Sequence, residues 1–236
     1  MTATTASIDF CGELAVATPD SPLTIGRDAD IQVDDNPYLH RKFLRVEHLS
    51  GLWWLINTGS QLNATVADEA GLLQAWLAPG GRLPLVFPRT VVWFTAGPTT
   101  YELTVDLDAS AFTPVVAEHR DAGATTIGRT TLTPDQRLLV VALCEPVLRR
   151  GERGAGRIPT NADAARRLGW TSTKFNRKLD NVCQKLARCG VRGVHGSSEE
   201  LASNRRARLV EYVMAARVVD RSDLALLDGL TASAQS

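Results

Sequence analysis

Two modules are predicted by the sequence, an all-β sandwich followed by a helical domain, so the chain is multidomain. Three observations carry that prediction. Short β-rich runs alternate with turn residues over 8–108, helix caps and helical apolar spacing begin at Thr133, and charge divides between the two stretches. The 236-residue chain has a formal net charge of zero. Residues 1–118, however, hold 6 Lys/Arg against 14 Asp/Glu, net −8, and residues 119–236 hold 20 against 12, net +8. A basic module joined to an acidic one points to nucleic acid as the partner of the basic part.

Several function classes are set aside by composition. Cys11, Cys144, Cys183 and Cys189 have neither disulfide-framework nor metal-ligand spacing, so no metal and no other cofactor is expected. The segment 1–7 lacks the basic start and apolar core of a secretion signal, and no run of about 18 apolar residues occurs. A cytoplasmic protein with no membrane partner is the expectation. His40, His48, His119 and His195 are isolated from one another, with no His-x-x-x-His or nearby carboxylate constellation, and no Gly-x-Ser-x-Gly elbow is apparent. No catalytic residue is assigned, and the chain reads as a regulator rather than an enzyme.

Within 8–108 the candidate strands are 14–17, 23–26, 31–33, 42–47, 52–57, 72–77, 83–86, 91–95 and 100–106. Turns fall at Pro19-Asp20, Asp35-Asn36-Pro37, Ser50-Gly51, Thr58-Gly59-Ser60, Pro79-Gly80-Gly81 and Gly97-Pro98. Many short strands at close spacing argue a sandwich. Trp53, Trp54, Trp76 and Trp93 lie here as core candidates, and adjacent Trp53 and Trp54 must point to opposite faces. The most informative stretch is Leu23–Asp35. Gly26 is expected to turn the chain sharply and leave Arg27 on a loop, where its planar fork of donors suits a phosphate.

That stretch resembles the opening signature of forkhead-associated (FHA) domains, β-sandwiches that read phosphothreonine. The resemblance covers about residues 14–107. It implies a phosphate-contacting arginine, matched by Arg27. In the downstream loop His40 stands where the family has a phosphate-binding serine, Arg41 matches the basic residue after it, and Phe43 replaces a structural histidine. Gly59 and Ser60 match the family's Gly-Ser turn, and Asn63 aligns with the family asparagine only if one residue is inserted. The implied phosphopeptide site is therefore Arg27, His40, Arg41, Ser60 and Asn63, with the phosphate dianion favouring protonation of His40 near pH 7. Two readings stay open: a site that still binds a phosphothreonine-containing protein, and a sandwich that now packs on an unphosphorylated partner.

Residues 109–130 lose periodicity and read as a linker, with Ile127-Gly128-Arg129 a chance echo of residues 25–27. At Thr133-Pro134-Asp135-Gln136 a capping box opens a helix that Pro146 interrupts or kinks. Residues 149–157 read as a glycine-rich loop. Thr160 or Asn161 caps a helix through Leu168, Gly169-Trp170 turns the chain, and Thr171 caps a second helix through about Arg188. On it Phe175, Leu179, Val182 and Leu186 form an apolar stripe, and Lys174, Lys178, Asn181, Lys185 and Arg188 form a polar one. A hairpin is then expected from 191–194 paired with Leu201-Ala202, followed by a helix capped by Asn204 and running over 205–217. This order over about 131–228 resembles a winged helix-turn-helix of bacterial-regulator type, placing the all-α/winged-helix domain at 131–236. The resemblance implies double-stranded DNA as partner, contacted by Ser172, Thr173, Lys174, Asn176, Arg177, Lys178 and Lys185. The sequence reading is thus a phosphothreonine-responsive transcription regulator. Its alternative is an FHA signalling adaptor whose basic helical half binds protein.

Overall fold

The computed structural model describes residues 4–110, 132–150, 155–191, 193–194 and 199–233. Two compact units emerge. One comprises Met1–Phe112, Arg150–Arg157 and Ala215–Arg217; the other comprises Thr113–Arg149, Ile158–Met214 and Val218–Ser236. Most of the stretch read as a linker lies outside the described residues.

The first unit is a β-sandwich. Its strands are β1 (Ala6–Phe10), β2 (Glu13–Ala17), β3 (Leu23–Gly26), β4 (Ile31–Gln32), β5 (Leu44–Leu49), β6 (Leu52–Asn57), β7 (Ala64–Asp68), β8 (Gln74–Leu77), β9 (Arg82–Leu85), β10 (Arg89–Ala96), β11 (Thr99–Leu107) and β12 (Ala155–Arg157). One sheet runs β2-β1-β11-β10-β7-β8, with β12 also on β11; the other runs β4-β3-β5-β6-β9. All pairings are antiparallel except β3 with β4. Alternate residues of each strand point inward, so Ile8, Val92, Phe94 and Leu103 of one sheet join Ile25, Leu44, Val46 and Leu55 of the other in one dry core. Burying each such side chain stabilises the unit by about 1.5–3 kcal/mol. Trp53 is buried, and Trp54 faces the other way, donating its indole N–H to the Leu49 carbonyl under the Arg82 guanidinium.

Three strands depart from the sequence reading. Three of the five residues of β1 and of β7 are Ala, Ser or Asp, weak strand formers that are held here by neighbours on both sides. β12 replaces part of the expected glycine-rich loop. It pairs with Thr99–Tyr101, and β1 pairs with 104–107, while β10 fills the whole opposite side of β11. β12 and β1 therefore lie end to end along one edge of β11.

The second unit is helical: α1 (Pro134–Arg150), α2 (Asn161–Arg167), α3 (Ser172–Arg188), α4 (Glu199–Ala215), a 3₁₀ turn (Arg221–Asp223) and α5 (Leu224–Ser233). The capping box is in place, with Gln136 N–H donating to Thr133 Oγ1 at 3.3 Å and Thr133 N–H to Gln136 Oε1 at 3.0 Å. Pro146 sits inside α1 and does not end it. Leu139, Leu143, Phe175, Leu179, Val182, Leu186 and Val210 form its core. The expected hairpin after α3 is corrected. Leu201 and Ala202, read as its second strand, lie within α4, and Asn204 is interior to that helix rather than its cap. Among the described residues no strand follows α3. No described helix is long and apolar enough to cross a membrane.

Candidate functional site

Two polar surfaces are built from the residues singled out in the sequence. In the sandwich, β3 ends at Gly26, and the next backbone segment lies against the loop before β5. Arg27 N–H donates to the His40 carbonyl at 3.0 Å, Asp28 N–H to the Arg41 carbonyl at 3.0 Å, and Phe43 N–H to the Ile25 carbonyl at 2.8 Å. A Cβ on Gly26 would collide with the carbonyl oxygens of Arg41 and His40. Glycine is needed at 26 for this close approach rather than for the sharp turn expected of it. The loop is also tied from behind. Asn36 Nδ2 donates to the Ala96 carbonyl and to Tyr101 Oη, both at 2.9 Å, and the Tyr101 hydroxyl donates to Asp34 Oδ2 at 2.6 Å. Burial and the adjacent Asp34 push the Tyr101 phenol up to about 12, so it remains a donor at neutral pH.

Arg27, half-buried, and Arg41, exposed, are thus carried on neighbouring segments. Neither guanidinium has a hydrogen-bond or ion-pair partner among the described residues. His40 behaves differently from expectation. Its Nε2 accepts the Ser60 N–H at 3.0 Å and lies 3.2 Å from Ser60 Oγ. An accepting Nε2 leaves the proton of the neutral ring on Nδ1, which is buried without a partner. Burial lowers the imidazole pKa. His40 is thus held as an acceptor by Ser60, a role that the sequence reading did not give it. Phe43 is fully buried, its ring 4.9 Å from that of Phe94, so this position is part of the apolar core. Asn63 forms no hydrogen bond among the described residues and is not joined to this cluster.

Sequence reasoning missed Asn57. Its fully buried amide donates to the Leu62 and Leu77 carbonyls at 2.8 and 3.1 Å and accepts the Gly59 N–H at 3.0 Å, shaping the turn that presents Ser60. The available signal was a lone amide ending the apolar run 52–56.

In the helical unit, Thr160 caps α2 and Thr171 caps α3, each hydroxyl accepting an N–H three residues on. Between the helices Gly169 adopts φ +66°, a left-handed conformation that glycine takes without strain. Phe175, Leu179, Val182 and Leu186 are buried as the stripe required. At about 100° per residue, the opposite pole of α3 is Thr173, Arg177, Gln184 and Arg188, all exposed. Ser172 and Asn176 are also exposed. Lys174, Lys178 and Lys185 lie on the shoulder and are half-buried. Lys178 Nζ stands 3.0 Å and Lys174 Nζ 4.0 Å from Asp135 Oδ2 of α1, and Lys174 lies 4.1 Å over the Trp170 ring. Lys178 and then Lys174 hold the Asp135 carboxyl below its ordinary range.

No family model and no curated protein matches the chain. Among solved structures it is similar to the FHA-1 domain of Mycobacterium tuberculosis Rv1747, at 15% identity and a TM-score of 0.34, over 45% of this chain and 98% of that one. It is also similar to the FHA domain of an Arabidopsis thaliana hypothetical protein, at 18% identity and a TM-score of 0.35, over 50% of this chain and 94% of that one.

Proposed function

We propose that this protein is a cytoplasmic, phosphothreonine-responsive transcription regulator. Its helix-turn-helix holds duplex DNA, and its sandwich, read as a divergent FHA domain, takes a phosphorylated segment of a partner protein. The observation that carries the reading is the outer pole of α3, where Thr173, Arg177, Gln184 and Arg188 stand clear of a helix fixed to the core by its other face. A helix of 17 residues presenting that pole fits a major groove, with residues of its first turns against base edges. Arg27 and Arg41 support the input half, because uncompensated guanidinium groups are suited to a phosphate dianion.

A selection from random duplex oligonucleotides with the full chain tests the output. The expected result is an enriched motif, with Arg177→Ala costing about 1–3 kcal/mol and relaxing one base position. Failure to retain any duplex at low salt overturns the DNA reading. It would leave the second reading, a phosphopeptide adaptor whose helical unit binds protein. That alternative is favoured by the engagement of Lys174 and Lys178 with Asp135, which withdraws cationic charge from a groove-facing role. For the input, a phosphothreonine peptide library titrated against the full chain should lose about 1.5–3 kcal/mol of binding on Arg27→Ala. Equal binding by both proteins removes the site.

A further inference from the structure

Helix α4 carries three arginines in four residues, and two of them are neutralised. Arg205 Nη1 meets Asp180 Oδ1 of α3 at 2.9 Å, and Arg208 pairs with Glu211 along its own helix. Arg206 meets no carboxylate among the described residues. Its Nη1 instead donates to Asn161 Oδ1 at 3.1 Å, and Asn161 Nδ2 donates to Asn176 Oδ1 at 2.8 Å. A polar chain therefore runs from α4, through the first residue of α2, to the exposed Asn176 on α3, next in sequence to Arg177.

We propose that the Arg206–Asn161–Asn176 chain is a binding site for one phosphodiester of a nucleic-acid duplex. Arg206 supplies the charge, and the two amides fix where the phosphate sits relative to α3. The inference rests on the DNA reading above and adds to it a contact outside the helix that reads the groove. Its physical basis is an incomplete set of partners. Arg206 is half-buried, its Nε, like those of Arg205 and Arg208, is buried without a hydrogen bond, and among the described residues the charged group against it is another arginine. Burial and Arg205 together lower its affinity for its own proton. A cation drawn out of water without a counter-charge is costly, and neutral amides only orient it. A phosphate oxygen at the guanidinium would supply the counter-charge that the two amides cannot. A carboxylate in place of Asn161 would have closed the site, as Asp180 does for Arg205.

The test is the salt dependence of binding by the full chain to a mixed-sequence duplex. Arg206→Gln should lower the slope of log Kobs against log salt by about 0.9, the loss of one phosphate contact, and Arg206→Lys should keep it. Asn161→Asp neutralises Arg206 in place without removing its packing, and should lower the slope by the same amount. Its acid at the start of α2 favours the helix, so this variant carries the test should Arg206→Gln melt early. A wild-type slope in either folded neutralised variant overturns the inference while leaving the DNA reading intact. Loss of slope in Arg206→Lys also overturns it, because the charge would not be the operative property. A wild-type chain that binds no duplex at all removes the DNA reading and this inference together.

Discussion

The loop end of the sandwich and the outer pole of α3 both present arginines without ion pairs among the described residues, yet their polar surroundings differ. In the sandwich, the groups around Arg27 and Arg41 are satisfied from within: His40 holds the Ser60 N–H, Asn57 holds the following turn, and Tyr101 with Asn36 holds the loop from below. On α3, among the described residues, the polar pole is held by the helix that carries it. A ligand at the sandwich has to compete with hydrogen bonds already made, whereas one at α3 meets exposed side chains. Similar side chains therefore define a preorganised but occupied surface in one unit and an open one in the other.

That contrast can be broken hardest at Gly26. Alanine there drives a methyl group into the backbone carbonyl of Arg41, and should destabilise the sandwich by about 3 kcal/mol or more. Urea unfolding followed by tryptophan fluorescence reads this unit selectively, because Trp170 is the one tryptophan of five outside it. An unchanged fluorescence midpoint would show that the close approach of the two loops does not hold the site together.

A smaller effect is expected from pH. The folded chain lowers the His40 pKa by burial, so its neutral form is favoured by folding. The resulting stability is fully present above the unfolded value of about 6.5. It is lost as pH falls from there to the folded value, a window in which the unfolded chain takes up a proton that the folded one resists. His40→Gln should flatten that acid limb of the stability curve for the sandwich transition. The helical transition, measured by circular dichroism, should not change its pH dependence with this variant. A wild-type acid limb in His40→Gln would mean that the ring does not govern Ser60.

The smallest effect should come from Asp135→Asn. An exposed pair and one first-turn acid are together worth about 1 kcal/mol or less. Releasing Lys174 and Lys178 should nonetheless tighten duplex binding and steepen its salt dependence. Unchanged affinity would assign the shoulder lysines to packing alone.

What the sequence disclosed follows how local each determinant is. Thr133 with Gln136, Thr160 and Thr171 announce their helices because a cap needs only its own next turn. The apolar stripe of α3 was legible for the same reason. β1, β7 and β12 were not, since each is held by strands distant in sequence. The break in the hairpin expectation is similar: Leu201 and Ala202 can serve a strand or a helix, and only the surrounding turns decide. At the site, Arg27 and Arg41 could be picked out by residue type. The acceptor role of His40 could not, because it depends on where a loop twenty residues later places the Ser60 N–H.

The short strand β12 has a consequence for the order of events during synthesis. A ribosome delivers residues 1–110 well before Ala155–Arg157, so the nascent sandwich leaves it with Thr99–Tyr101 of β11 uncovered on one side. Until α1 has also been made, that bare edge is a place where another nascent chain can pair. Completion of the first-encoded unit thus waits on a piece encoded after the first helix of the second. A gene cut between the two apparent modules would separate a sheet from one of its own strands.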